Sequence, residues 1–361
     1  MSAMRYARRA ALLLALLAWP PLARAQTIDL PNKDGSVRFA VMGDTGRGDA
    51  GQLEMAKMME MVHAKFPFTF MVMVGDNIYG ADTPGDYEQK FEKPYKPLMD
   101  AGVKFYAALG NHDNPNQRFY KQFNMNGERF YTFRASPGGL AKLTTGGVRF
   151  FAIDSNYLDK SQLDWLSKEL AASGSEWKIC FFHHPLYSSG ATHGSALETR
   201  AVLEPMFVKD GVSVVLTGHD HIYERIKLQK GIQHFVVGSG GSLRRGDLRQ
   251  TDMTAKGFDQ DYAFMIAEID ADEMHYQAIS RKGTTIDSGV IKRVGAGVAA
   301  AASPAPAAAS AKETKTEPVA AAPSPSPSPE AVAAAPSPAA ASKAASKPPA
   351  NKKRTPSKKP S

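Results

Sequence analysis

The 361-residue chain carries a formal charge of +8, but that excess sits at its two ends. Four arginines precede residue 26, and nine lysines and arginines against three glutamates follow Val294. Residues 26–294 are therefore slightly acidic, which excludes charge-driven nucleic-acid binding by the folded body. A single cysteine, Cys180, excludes an internal disulfide and leaves stability to packing.

Residues 1–25 read as an export signal. Arg5, Arg8 and Arg9 precede an apolar run from Ala10 to Trp19, and Ala23-Arg24-Ala25 supplies a small-x-small cleavage step. The run is too short to span a bilayer, so no transmembrane anchor is expected. The protein is then exported, periplasmic or secreted, and Arg8-Arg9 is compatible with twin-arginine export.

From there to residue 294, apolar runs alternate with helix-like segments. Strands are predicted at VRFAVMG (37–43), FTFMVMVG (68–75), KFYAALG (104–110), VRFFAID (148–154), WKICFFH (177–183) and VSVVLTG (212–218). Three more follow at 234–240, 262–270 and 274–280. Helices are predicted at 51–65, 161–170 and 196–208, the second placing Leu163, Leu166 and Leu170 on one face. Strands and helices in this order imply a single layered α/β domain over 26–294. Cys180 lies inside an apolar run and reads as a buried small hydrophobe. Residues 295–361 are Ala, Pro, Ser and Lys without an aromatic, a composition that cannot offset its ordering entropy. A disordered basic tail is expected, suited to contact with anionic envelope polymers.

Strand after strand ends on an Asp, Asn or His. Asp44 follows the first in MGDTG, Asp76 the second in VGDNIYG, and Asn111, His112 and Asp113 the third in LGNHD. His183 and His184 close FFHHPLY, and His219 and His221 follow the last of the series in TGHDHIYER. Open α/β sheets build their sites at this end. Carboxylate, amide and imidazole together suit Fe, Zn or Mn better than Ca or Mg. His219 and His221 are two apart and diverge in an extended chain, which two metals explain better than one.

The set GDTG, GDNIY, GNHD, HHP and GHDH resembles the purple acid phosphatases among the calcineurin-like metallophosphoesterases, over nearly all of residues 36–282. That resemblance implies a four-layer αββα sandwich. It implies Fe(III) held by Asp44, Asp76, Tyr79 and His221, and a divalent Fe, Zn or Mn held by Asp76, Asn111, His183 and His219. His183 is preferred over His184 because it lies two before Pro185, as in the family pattern. Gly46 stands where other metallophosphoesterases place a histidine ligand. His112 resembles a histidine that contacts substrate or protonates the leaving group, and His193 matches a loop histidine of the mammalian-type enzymes. The activity implied is hydrolysis of small phosphomonoesters by a hydroxide bound to the two metals. The alternatives are a phosphodiesterase or nucleotidase on the same scaffold, or a weakly catalytic envelope-associated binding protein.

Overall fold

The computed structural model describes residues 27–136, 139–140 and 147–294. The expected export signal and the expected tail lie outside the described residues. Within them, one sheet is built from β1 (Val37–Met42), β2 (Phe70–Met73), β3 (Lys104–Ala107), β12 (Ala263–Asp270), β13 (Glu273–Ser280) and β14 (Thr285–Lys292), in the order β14-β13-β12-β1-β2-β3. The second is built from β4 (Tyr131–Ser136), β5 (Gly139–Leu140), β6 (Val148–Ala152), β7 (Trp177–Phe181), β8 (Val214–Thr217), β9 (Tyr223–Ile226), β10 (Gln233–Val237) and β11 (Thr254–Phe258). Its order is β11-β9-β10-β8-β7-β6-β4-β5.

The strands that deliver the polar motifs are parallel within each sheet, β1 with β2 with β3 and β6 with β7 with β8. Their carboxyl ends therefore gather on one rim of the domain. Side-chain alternation assigns the layers. Phe39, Val41, Phe70 and Val72 meet Phe150, Ile179, Phe181, Val214 and Phe235 between the sheets. Phe39 stands edge-on to Phe150 at 5.2 Å, and Phe133 stacks on Phe150 at 4.9 Å. The opposite face of the first sheet, with Met42, Met71 and Met73, is covered by Met55 and Met59 of α1 (Ala50–His63). Phe151, Cys180 and Val215 of the second sheet pack against Leu166 and Leu170 of α4 (Lys160–Ala171) and against Leu203 and Phe207 of α5 (Leu197–Asp210). Helix, sheet, sheet, helix is the four-layer order that the resemblance implied. Cys180 is fully buried, and burial pushes its thiol well up, as suits a packed hydrophobe.

Two groups of elements depart from the sequence reading. Strands β4, β5, β9, β11 and β14 were not expected: all five lie at or beside a sheet edge, and polar residues interrupt four of them. The helical run between β2 and β3 was also missed. It comprises α2 (Pro84–Tyr87), a π-turn at Glu88–Glu92 and α3 (Lys93–Asp100). The run contains Pro84, Pro94 and Pro97, residues that disfavour a helix interior. Here Pro84 sits at the first turn behind a Thr83–Asp86 capping box, where it costs little.

His234, on the helix-facing side of β10, is buried with neither ring nitrogen hydrogen-bonded among the described residues. Burial lowers its pKa from 6.5 to about 3. Between those values the unfolded chain takes up a proton that the fold refuses, so this contribution is intact above pH 6.5 and lost as pH falls toward 3. His234→Leu is expected to stabilise the protein more in acid than at neutrality, where it relieves only the desolvation of two unbonded ring nitrogens. The gain grows by roughly 1.4 kcal/mol per pH unit below 6.5. Denaturant melts at pH 7 and pH 4 measure it, and an equal effect at both pH values would contradict it.

Candidate metal centre

Asp44, Asp76 and His219 leave their strands with φ of 56°, 51° and 70°. Residues other than glycine seldom hold this left-handed region, and three such turns fall where the motif loops meet. Glycine makes the approach feasible. A Cβ on Gly110 would lie 2.1 Å from Asp76 Oδ1, so only glycine lets the β3 loop close on that carboxylate.

Seven polar side chains form two sets. In the first, the Tyr79 hydroxyl lies 2.9 Å from Asp76 Oδ2, 3.4 Å from Asp44 Oδ1 and 3.3 Å from His221 Nε2. His221 Nε2 is itself 3.4 Å from Asp44 Oδ1. In the second, His183 Nε2 lies 2.9 Å from Asn111 Oδ1, 3.1 Å from His219 Nδ1 and 3.4 Å from Asp76 Oδ1. Asp76 is common to both, presenting one oxygen to each. His219 and His221 face different sets, the divergence that their spacing suggested.

The donors suit cations on three grounds. First, atoms bound at about 2.1 Å to one octahedral or tetrahedral ion sit roughly 3.0–3.4 Å apart, matching these spacings. Second, Asp44 and Asp76 are buried, and among the described residues no lysine or arginine pairs with either. Two uncompensated buried carboxylates are costly unless a positive charge joins them. Third, the nitrogens are neutral lone pairs. Burial holds His183 well below the ordinary imidazole range, His219 at about 2 and His221 at about 4. His183 Nδ1 lies 3.1 Å from the Val74 carbonyl, so its proton sits there and Nε2 points into the cluster unprotonated. Burial and then the charge of Asp76 push the Asp44 carboxyl up. Burial, then Asp44 and Asp76, raise the Tyr79 phenol. A phenol held neutral in this way ionises only beside a strongly charged cation.

The position of Gly46 bears on which cations. A Cβ there would lie 2.0 Å from the Asn77 carbonyl oxygen, so no side chain can reach the cluster from residue 46. Tyr79 stands instead at that side of Asp44.

His112 and His193 flank the cluster. The His112 backbone N–H donates to Asp76 Oδ1 at 3.0 Å, and its exposed ring lies 5.2 Å from the ring of Tyr79. The exposed His193 ring lies 4.1 Å from that of His219, with its Nε2 3.1 Å from Arg244 Nη1. His184 takes a different partner, with Nδ1 2.8 Å from Ser155 Oγ, while its ring lies 4.5 Å from that of His219.

Several supporting residues escaped the sequence reading. Asp113 is buried and binds both neighbouring loops. Oδ1 accepts from the Asn77 and Ile78 N–H groups at 2.8 and 3.1 Å, and Oδ2 from Gly110 N–H and Asn77 Nδ2 at 2.8 and 2.9 Å. Asp220 Oδ2 takes the Ser188 hydroxyl and the Gly194 N–H, fixing the loop that carries His193. Arg47 lies over the Tyr79 ring at 4.2 Å. Asp113 stood visible in LGNHD as one more acidic strand end; Arg47 and Arg244 had no motif to mark them.

With that geometry in hand, similarity to known proteins can be set beside it. The calcineurin-like phosphoesterase family profile matches residues 37–223. The chain is 28% identical over 250 residues to purple acid phosphatase 7 of Arabidopsis thaliana, covering 61% of this chain and 74% of that one. It is 25% identical over 269 residues to tartrate-resistant acid phosphatase type 5 of Mus musculus, covering 63% and 78%. In fold it is similar to a purple acid phosphatase from yellow lupin seeds, with a TM-score of 0.59 at 19% identity over 73% of this chain and 55% of that one. It is also similar in fold to GAP50, the anchor in the inner membrane complex of Plasmodium, with a TM-score of 0.63 at 22% identity over 72% and 90%. The chain belongs to the calcineurin-like phosphoesterase family, and its relatives there include purple and tartrate-resistant acid phosphatases.

Proposed function

We propose that the protein is an exported acid phosphatase that hydrolyses small phosphomonoesters with a binuclear metal centre. Family membership makes it a metal-dependent phosphoesterase. The finer reading assigns Fe(III) to Asp44, Asp76, Tyr79 and His221, and a divalent Fe, Zn or Mn to Asp76, Asn111, His183 and His219. The observation that carries it is the Tyr79 hydroxyl set against both carboxylates and His221, beside a Gly46 that has no room for a ligand.

When bound, two cations supply Lewis acidity, lowering the pKa of water and offsetting charge on a phosphoryl group. The chain's own residues do the rest. Asp76 holds both sets in one register. Hydrolysis breaks the ester P–O bond, adds water to phosphorus and needs one proton for the leaving alkoxide. His112 suits that role, being exposed beside Tyr79 with its backbone tied to Asp76. His193 suits it less. The Arg244 guanidinium can only donate, so it occupies Nε2 as an acceptor and leaves the His193 proton on Nδ1. We assign His193 to substrate contact.

GAP50, the anchor in the inner membrane complex of Plasmodium, shares this fold, so the scaffold alone does not fix an activity. The converging donor sets favour an enzyme over a binding protein. We place the end of the catalytic domain at Val294, a boundary supported by the β13–β14 pairing through Lys292 and by Arg293 N–H donating to the Asp272 carbonyl. No helix among the described residues is long and apolar enough to cross a membrane.

Metal analysis of protein from its native compartment, with turnover of para-nitrophenyl phosphate against its bis-ester, tests the reading. Iron with one divalent partner and preference for the monoester is expected. Tyr79→Phe adds a sharper check, because a phenolate on Fe(III) absorbs visible light. The parent should be pink to purple and the variant bleached, with turnover falling less than colour. A colourless, iron-free and fully active parent would remove the Fe(III) assignment.

A further inference from the structure

The Tyr79 phenol is held at the cluster by more than its own motif. Its ring lies under the Arg47 guanidinium at 4.2 Å, whose Nε donates to Ser242 Oγ at 2.8 Å, and 5.2 Å from the His112 ring. The Tyr79 backbone N–H donates to the Gly46 carbonyl at 3.0 Å. Its own carbonyl accepts from the Lys90 ammonium. Lys90 belongs to the helical run between β2 and β3, outside the five motifs.

Four features bring Lys90 to that carbonyl. It sits in the π-turn Glu88–Glu92, a rare wide turn that occurs often at functional sites. Its backbone carbonyl accepts from Gln52 Nε2 at 2.6 Å, while Gln52 Oε1 accepts from the Gly48 N–H at 2.6 Å. Gln52 lies in α1 and is fully buried, so one side chain ties the π-turn to the loop that follows Asp44. The Lys90 side chain then runs between two glycines. A Cβ on Gly48 would lie 3.0 Å from Lys90 Cγ, and one on Gly80 would lie 2.8 Å from Nζ. Gly80 also has φ of 130°, which other residues rarely adopt, and its peptide bond begins at the Tyr79 carbonyl. Finally, Asp86 Oδ1 accepts from Nζ at 2.5 Å and is fixed in turn by its capping box with Thr83. An ion pair with Asp86 alone would need neither glycine nor the bond to Tyr79.

We propose that Lys90 is a positioning residue for the Tyr79 phenol. It locks the peptide after Tyr79, so that the phenol stays among Asp44, Asp76 and His221. The phenol oxygen ends a rigid ring, and a small rotation of the backbone would swing it out of line with a cation. Lys90 touches neither ion nor substrate, and its role rests on the Fe(III) assignment proposed above.

The test uses the full-length, metal-loaded protein. Lys90→Met is expected to weaken Fe(III) affinity about 10- to 100-fold in competition with a chelator. The visible phenolate band, scaled to bound iron, should shift or fade, while the divalent ion keeps its parent occupancy. Gly80→Ala acts on the other side of the same contact. It should give the same spectral change, with little further loss in the double variant. Asp86→Asn removes the charge partner but leaves the carbonyl contact, so its band should match the parent. A parent-like band and Fe(III) affinity in Lys90→Met overturn the inference, whatever its unfolding midpoint. Equal loss of both ions also overturns it, because Lys90 would then be a general support of the fold. If Lys90→Met fails to fold, Gly80→Ala decides by the same readouts. A parent without iron or colour defeats the Fe(III) assignment itself, and the inference falls with it.

Discussion

Asp76→Ala is expected to lose both metal ions together and to reduce turnover by roughly four orders of magnitude or more. Asp76 alone among the seven donors faces both sets, with Oδ2 2.9 Å from the Tyr79 hydroxyl and Oδ1 3.4 Å from His183 Nε2. Its Oδ1 also anchors the His112 backbone at 3.0 Å, so truncation disturbs the neighbouring loop as well. Asn111→Ala makes the informative contrast. Asn111 touches only the His183 set, so that variant should keep the ion beside Tyr79, with its colour, while losing the other. Elemental analysis and visible absorption of the purified variants separate the outcomes. If Asp76→Ala kept either ion at full occupancy, Asp76 would not be the shared donor.

The second large effect is expected of a residue that needs no metal contact. Asp113→Ala leaves the backbone N–H groups of Asn77, Ile78 and Gly110 without their acceptor in a buried setting, while the Asn77 side-chain amide keeps its bond to the Ala108 carbonyl. Each unsatisfied buried donor costs about 1–3 kcal/mol, and relaxation recovers part, so a loss near 3–5 kcal/mol is expected. Burial and the charge of Asp76 push the Asp113 carboxyl up, while four N–H donors favour its ionised form. Because Asp113 ties the Asp76–Tyr79 loop to the Gly110–Asn111 loop, metal affinity should fall with stability. Denaturant unfolding of the metal-free protein isolates the first effect, and a metal titration the second. Asp113→Ala with unchanged unfolding would show that these bonds are replaced by others.

The clearest of the predicted strands share one property. β1, β2, β6, β7 and β8 are almost wholly buried, so their sequences are mainly apolar, broken only by Arg38, Arg149, Lys178 and Thr217. β14, reading TIDSGVIK, has a solvated face and leaves only a weak alternating trace. The candidate donors were legible for a related reason. Each lies within six residues of the carboxyl end of a strand, and strand direction gathers those ends on one rim. What stayed hidden depends on which loop faces which. Asp113 matters because of donors more than 30 residues away, and His184 is separated from His183 by a bond to Ser155 that no local pattern announces. Arg47 and Arg244 lie 197 positions apart and gain meaning only from Ser242, Tyr79 and His193.

The two sheets meet chiefly through side chains, and each donor set draws from both. Asp44, Asp76, Tyr79 and Asn111 hang from the first sheet, while His183, His219 and His221 hang from the second. An ion in either set is therefore a cross-link between the halves of the sandwich. By mass action, every ion that binds only the closed arrangement raises the free energy of prying the sheets apart. Metal supply would then govern how long the protein lasts as well as how fast it works, and a chelator would act on it as a mild denaturant.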